Sequence, residues 1–451
     1  MRLHYKAILC KTLGYNYSDV SHGNKDHHQL RTYTTLLNVF FVKLLKARTL
    51  SERCAKCGFC THYINCPGQE DCHGCGSCVN ACPYEAKVLL EVEVPDFYVT
   101  VKIDCEKYQV PRGVTIIKAL ELVGFRISRL PGGGDIYAPC MTGGCWSCAV
   151  LVNGSLKPSC ITPVQDGMEI VTKVDEVVKR TPLRLVSSFQ GHPVGGVGTP
   201  YWLKPKGFFY KYIEVACFAH GCILRCPSCQ NWEITYSSRD DPLTPFQAAY
   251  LLTEARKLYN VDRMAISGGE PTINRPWLVE FVRSLKTLNV DERARIHVDT
   301  NAAVLTPDYI DELVEAGMTD IGVDVKGLRL ETFMKITGIK DRELAQRMLE
   351  NEWNTVKYVV DKYWGKVFIG VGIPYNRDFM SFEELYEIGS RLASIEPSLQ
   401  VCALDYRPEF RAHHLRRPSF EEMLKVKKIL EDSGLRVVVC QTVRGHILPA
   451  T

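Results

Sequence analysis

The chain has no long apolar run. Met1 to Val20 is polar, without the apolar core of a signal peptide, and the one greasy stretch, Leu36 to Leu45, is interrupted by Asn38 and Lys43. That is well short of the roughly 20 apolar residues that span a bilayer, so the expectation is a cytoplasmic chain with no membrane span. Strong net charge is also missing: +4 over 451 residues gives no whole-chain attraction to nucleic acid, and no appended basic RNA-binding module is evident. No period of 20–50 residues repeats, which argues against solenoids and propellers. With 46% hydrophobic and 24% charged residues the chain is not globally disordered, and its length suggests two to four domains.

Cysteine, by contrast, is abundant. The 20 Cys are too clustered for a secreted disulfide scaffold, and metal clusters in a reducing compartment are the natural alternative. They divide the chain into five expected segments: a basic arm with a docking helix (1–50), a dense cysteine module (51–92), a second cysteine-bearing domain of strands around one helix (95–175), a Gly- and Pro-rich linker (176–206) and a C-terminal α/β domain (207–451). Residues 1–53 carry +6 while the rest sums to about −2. The arm therefore reads either as a dock for an acidic partner or as a solvated tail followed by a helix covering its neighbour.

In the first block, Cys54, Cys57 and Cys60 precede Cys66-Pro67, and Cys72, Cys75 and Cys78 precede Cys82-Pro83. A tight C-x2-C-x2-C loop offers three thiolates to one cube, and in two-cluster ferredoxins the fourth belongs to the other run. Cys54, Cys57, Cys60 and Cys82 then form one set, and Cys72, Cys75, Cys78 and Cys66 the other. This resembles the bacterial-type ferredoxin module; zinc is the alternative for a four-cysteine site. In the second block Cys140-x4-Cys145-x2-Cys148, with Cys160, has plant-type 2Fe–2S spacing. Strands at Tyr98–Ile103 and Tyr108–Val110, a helix from Thr115 to Val123, and a strand at Ala149–Val152 leading to an Asn153-Gly154 turn resemble the β-grasp 2Fe–2S ferredoxin fold. Cys105 lies outside the spacing and is expected as a buried small hydrophobe.

The third block supplies only Cys222, Cys226 and Cys229. Three ligands on a cube leave one iron open, and an open position separates a reactive site from a structural one. Cys217, a possible fourth ligand, reads as core on an apolar strand. Further on, Gly268-Gly269-Glu270-Pro271, Asp299-Thr300-Asn301, Asp324-Val325-Lys326 and Gly372-Ile373-Pro374 each follow a short apolar strand. The stretch Cys222-Ile-Leu-Arg-Cys226-Pro-Ser-Cys229, with these strand ends, resembles the radical S-adenosylmethionine (SAM) superfamily. It is most similar to the glycyl-radical-enzyme activase-like branch that includes pyruvate formate-lyase activating enzyme.

The resemblance implies several things. SAM chelates the open iron, and one electron breaks its sulfonium bond to give a 5′-deoxyadenosyl radical that abstracts hydrogen. Gly268, Gly269, Glu270, Pro271, Thr300, Asn301, Asp324 and Lys326 would contact SAM, Glu270 by accepting from its ammonium. Ser228 stands where the family usually has an aromatic residue. Asp324 with Lys326 also reads as a rim salt bridge, His220 and His297 as structural histidines, and His413-His414 beside Arg411, Arg416 and Arg417 as a solvated loop or an anion site.

Helices expected at Pro245–Tyr259, Trp277–Leu288, Pro307–Ala316, Glu343–Tyr363, Phe382–Ile395 and Phe420–Ser433 alternate with the strands. The expected fold is multidomain: an α/β partial TIM barrel preceded by an α+β two-cluster ferredoxin module and a β-grasp domain. Expected cofactors are SAM, three 4Fe–4S clusters and one 2Fe–2S cluster. Expected partners are an external low-potential electron donor and a protein or small-molecule substrate, a glycyl-radical protein being the specific version. Modification of a metabolite or peptide without a stored radical, and a non-catalytic electron-transfer subunit, are the alternatives.

Overall fold

The computed structural model describes residues 41–204, apart from Gln69, Asp96 and Val178, and residues 211–449. The basic arm up to residue 40 lies outside the described residues. Phe41–Thr49 (β1) and Lys87–Pro95 (β2) pair antiparallel and bracket the first cysteine block, which carries two short helices, Phe59–His62 (α1) and Ser77–Ala81 (α2). This corrects the docking helix where that segment is described: residues 41–49 are a strand. Val42 and Leu44, two apart, pack on the neighbouring domain's core, so Lys43 marks a period of two rather than a broken helix.

A five-stranded sheet follows, in the order β4-β3-β9-β7-β8. It is built from Tyr98–Ile103 (β3), Glu106–Pro111 (β4), Ala149–Val152 (β7), Ser155–Pro158 (β8) and Glu169–Val171 (β9). Ile116–Leu122 (α3) crosses it, Ile127–Ser128 (β5) pairs with Ile136–Tyr137 (β6), and Val174–Val177 (α4) trails it. Thr115 caps α3 by accepting from the Lys118 amide, and Asn153 and Gly154 have φ of 49° and 81°, the two positive values a type I′ hairpin turn needs. Cys105 corrects the reading of a buried hydrophobe: it is exposed, in the β3–β4 turn at φ 78°. A two-residue turn leaves its side chain no core to enter.

The C-terminal sheet has nine strands in sequence order. Val186–His192 (β10) runs antiparallel to Glu214–Ala219 (β11). Arg263–Gly268 (β12), Arg295–Thr300 (β13), Asp320–Asp324 (β14), Phe368–Tyr375 (β15), Gln400–Asp405 (β16) and Val437–Thr442 (β17) continue parallel to β11, and Gly445–Ile447 (β18) closes antiparallel. Trp232–Tyr236 (α5), Pro245–Tyr259 (α6), Arg275–Leu288 (α7), Pro307–Ala316 (α8), Leu330–Thr337 (α9), Arg342–Tyr363 (α10), Phe382–Ile395 (α11) and Phe420–Asp432 (α12) fill the intervals. Thr244, Ser381 and Ser419 cap their helices through the side chain; Thr306 does not.

The segment read as a linker is not a free connection. It contributes β10, and residues 196–199 then thread across the inner face of the sheet. A Cβ on Gly196 would lie 2.1 Å from the Asp299 carboxylate, and one on Gly198 2.5 Å from His297 Nε2. The Gln400 amide donates to the Thr199 carbonyl at 2.9 Å, and Glu214 accepts from the Gly196 amide at 3.1 Å and the Thr199 hydroxyl at 2.9 Å. Glycine serves at 196 and 198 because no side chain fits there between the strap and β13 or β14.

Candidate functional site: three cysteines at a strand end

β11 delivers His220 and Gly221 to the cysteine loop. Gly221 has φ 78°, and a Cβ there would lie 2.9 Å from the Cys145 nitrogen and 3.0 Å from the Cys140 Cβ. Only glycine lets the loops of the second and third cysteine blocks touch backbone to backbone. Arg225 braces the joint, donating to the carbonyl of Cys222 at 2.7 Å and also to that of Cys140. His220 is fixed by the Ser187 hydroxyl at 2.8 Å and the Ser237 carbonyl at 3.0 Å, and burial lowers its pKa, which fits the structural reading.

The three thiols converge. Burial pushes Cys222 and Cys226 up to about 12 and Cys229 up to about 11, and each also feels another of the three: Cys226 at Cys222, Cys229 at Cys226, Cys222 at Cys229. The Leu224 amide donates to Cys222 Sγ at 3.3 Å, and Asn301 Nδ2 approaches the same sulfur at 3.6 Å. Amide hydrogens aimed at sulfur suit a thiolate on a cluster, and raised thiols mean that loading it must release protons. Cys217 is fully buried on β11, as expected of core. Among the described residues no three His, Cys, Asp or Glu side chains converge as closely as a single metal ion needs. An iron–sulfur cube spreads its thiolates wider than that.

The strand ends surround the triad, with one change of role. Glu270, 1% exposed, is already engaged: Oε1 accepts from the Thr272 amide at 2.9 Å, the Thr272 hydroxyl at 2.6 Å and the Thr300 hydroxyl at 2.7 Å, and Oε2 accepts from the Asn301 amide at 2.7 Å. It ties β12 to β13, and its partners leave little capacity for the SAM ammonium. The glycine pair likewise approaches backbone: Cβ atoms would lie 2.5 Å from the Ala219 nitrogen at Gly268 and 2.3 Å from the Gly221 carbonyl at Gly269. Pro271 starts a 3-10 turn whose cap is Glu270. Asp324 and Lys326 form an ion pair at 2.7 Å, and Cys226 lies within electrostatic reach of the ammonium.

Two groups escaped the sequence reading. Arg184, fully buried, donates to the carbonyls of Pro271, Glu270 and, at 3.1 Å, His220. A lone Arg in a Gly/Pro-rich stretch gave no signal. Glu352 on α10 is fully buried: Oε2 accepts from the Lys326 amide at 3.0 Å, while Oε1 has no hydrogen-bond partner among the described residues. Burial holds its carboxyl well above the usual range. Its place on the stripe Met348, Leu349, Glu352, Trp353, Val356 was the available clue. Of the loop arginines, Arg411 donates to the carbonyls of Val79, Asn80 and Cys82, Arg416 pairs with Glu422 and Arg417 with Asp405. His413 and His414 are exposed, as in the solvated-loop reading.

The other cysteines gather in sets. Burial raises the Cys60 thiol, which also feels Cys57, Cys82 and Cys54; burial pushes Cys78 up to about 12, with Cys75, Cys66 and Cys72 as neighbours. Those are the crossed sets expected of a two-cluster ferredoxin. Amides of Ala47 and Ala86 donate to Cys72 and Cys82 sulfurs, each at 3.2 Å. Cys140, Cys145, Cys148 and Cys160 are all buried, Cys140 neighbouring Cys145 and Cys160, and Cys148 neighbouring Cys160. Cys66 and Cys229 pack against one apolar cluster with Trp232 and Phe410.

Family models match part of each of the three cysteine-bearing regions. The radical SAM superfamily model matches residues 217–387, the 2Fe–2S iron-sulfur cluster binding domain residues 98–175, and the 4Fe–4S binding domain residues 68–88. The chain carries a radical SAM domain. Its similarity to named relatives is confined to part of it. A probable GTP 3′,8-cyclase of Saccharolobus solfataricus is 29% identical over 120 residues, 27% of this chain and 36% of that protein. One from Methanococcus aeolicus is 30% identical over 129 residues, 29% and 42% of the two chains. The chain thus spans about a third to two fifths of their length. Among solved structures, Streptococcus suis SuiB bound to S-adenosylmethionine aligns at 15% identity and TM-score 0.34, covering 47% of this chain and 42% of that one. Escherichia coli coproporphyrinogen III oxidase, described as a radical SAM enzyme, aligns at 16% identity and TM-score 0.32, covering 46% of each. Likeness at that level says nothing of substrate. No described helix is long and apolar enough to cross a membrane.

Proposed function

We propose that the chain is a cytoplasmic, activase-like radical SAM enzyme whose own ferredoxin domains feed electrons to a 4Fe–4S cluster on Cys222, Cys226 and Cys229. In this reading a partial βα barrel carries the reaction, a β-grasp domain holds one 2Fe–2S cluster, and the Cys54–Cys82 module holds two cubes. Bound at the triad, cluster and SAM supply reductive cleavage of a sulfonium and a carbon radical for hydrogen abstraction. The chain's residues do the rest. The three thiols hold the cluster at three corners, and Asn301 and the Leu224 amide support Cys222. Lys326, kept cationic beside Asp324, offers charge next to Cys226. Gly268, Gly269, Glu270, Pro271 and Thr300 fix the wall behind the SAM site more than they contact it.

The observation that carries the reading is the close approach of Gly221 to the Cys145 backbone and to the Cys140 and Cys145 side chains, which supports electron passage from the 2Fe–2S loop to the triad. Replacing Cys145 with Ala is expected to abolish multiple-turnover formation of 5′-deoxyadenosine with the physiological donor while sparing turnover with a small chemical reductant. Equal survival of both would refute the wire. A metabolite substrate is the second reading, favoured by the partial similarity to probable GTP 3′,8-cyclases. A glycyl-radical signal in cells that depends on this gene separates the two.

A further inference from the structure

A cavity of about 660 Å³ lies at the seam between the 2Fe–2S domain and the radical SAM domain, away from the triad. That is within the range of roughly 300–1,000 Å³ typical of small-molecule sites. None of Cys222, Cys226, Cys229, Glu270 or Lys326 lines it, whereas Cys148 does. Leu130, Ile136 and Val304 give it apolar walls, with Trp146 among them.

Two features point to an occupant. Arg180 and Arg347 line the cavity, both exposed, and neither guanidinium has a hydrogen-bond or ion-pair partner among the described residues. The acids that share the lining are engaged: Asp135 pairs with Arg126, and Glu350 accepts from Gln346. The lining arginine Arg275 is likewise committed, to Asp308 and Glu312. Uncommitted positive charge is therefore left beside an apolar chamber. The second feature is Trp146, between Cys145 and Cys148, at φ 60°. A bulky residue in the left-handed region is an outlier, and such strain clusters at functional sites. Glycine would meet that backbone without strain, yet the position carries an indole that lines the cavity.

We propose that this seam binds a phosphorylated planar heterocycle of the size of flavin mononucleotide, its ring against Trp146 and its phosphate on Arg180 and Arg347. The site stands apart from SAM cleavage, so its test does not depend on that reaction.

The experiment uses the cluster-loaded full chain under anaerobic conditions, with flavin mononucleotide, riboflavin and adenosine monophosphate as probes in equilibrium dialysis. Flavin mononucleotide should bind at one per chain, at least tenfold more tightly than riboflavin, which lacks the phosphate, and than adenosine monophosphate, which lacks the larger ring. The double variant Arg180→Gln/Arg347→Gln should lose at least tenfold toward flavin mononucleotide and nothing toward riboflavin, and Trp146→Gly should weaken both flavins. Binding should also perturb the visible circular dichroism of the 2Fe–2S site, since Cys148 is part of the wall. No binding up to millimolar probe, equal affinity for the two flavins, tighter binding of adenosine monophosphate, unchanged affinity in the arginine variant, or an unmoved dichroism would each overturn the proposal.

Discussion

Replacing Gly144 with Ala tests the joint between the two iron–sulfur loops. The added methyl would lie 2.7 Å from His220 Cβ, 2.8 Å from the Gly221 nitrogen and 2.9 Å from the His220 carbonyl carbon, where ordinary contact begins near 3.4 Å. The loops must therefore part by about 0.7 Å at the tightest point. Little can yield: His220 is tied to Ser187 and Ser237, and the Gly144 carbonyl accepts from the Leu185 amide at 3.1 Å. Overpacking of this kind costs about 1–3 kcal/mol. For a domain of this size that is a fall in Tm of about 2–4 °C per kcal/mol. The assay is anaerobic thermal unfolding of the cluster-loaded protein, paired with freeze-quenched EPR to follow reduction of the C-terminal cluster. Gly154→Asn is the control, because a Cβ added there would meet nothing within 4 Å among the described residues beyond its chain neighbours, and Asn tolerates positive φ. The variant is expected to melt several degrees low and to transfer electrons more slowly than the control. A Gly144→Ala protein that melts and transfers like wild type would refute the direct contact.

Two further predictions rest on buried charge. Burial pushes His297 down, but Asp299 and Glu214, with ring nitrogens 3.0 Å and 3.5 Å from their oxygens, outweigh it and raise its pKa to about 9. The approaches are ion pairs without good hydrogen-bond angles, since both ring nitrogens lack a hydrogen-bond partner among the described residues. A folded pKa above the unfolded value near 6.5 gives stability that is fully present below about pH 6.5 and lost as pH rises through about 9, with a ceiling of about 3 kcal/mol. Denaturant titrations should show that loss in wild type and a flatter profile in His297→Gln; identical profiles would remove His297 from the account. Arg184→Met strips the donor from three buried carbonyls and is expected to cost about 3 kcal/mol or more in the same titration, against less than about 0.5 for an exposed control such as Arg283→Met.

Much of the site was legible because cysteine spacing is itself chemistry: three thiolates two or three residues apart can reach one cluster whatever surrounds them. The helices were legible through caps such as Thr244 and Ser381, whose oxygens accept from the amides that open α6 and α11. The strap was not, because glycines that cross a packed sheet have the same composition as glycines in a solvated linker. Neither was β1, where five apolar residues in nine look like a helix until Val42 and Leu44 find a core. The hydrogen bonds that already engage Glu270 were not legible either. Four donors from two neighbouring loops reach it, and those loops meet only when β12 and β13 pair.

The central claim is that the Cys222/Cys226/Cys229 cluster has one iron free of protein ligands and available to SAM. Electron–nuclear double resonance on the reduced, anaerobic protein with SAM labelled at its amino nitrogen and carboxylate oxygens measures this directly. The account predicts coupling of both labels to the cluster, lost when Cys226 is replaced with Ala. A fully loaded cluster whose spectrum shows four protein ligands and no response to labelled SAM would contradict it.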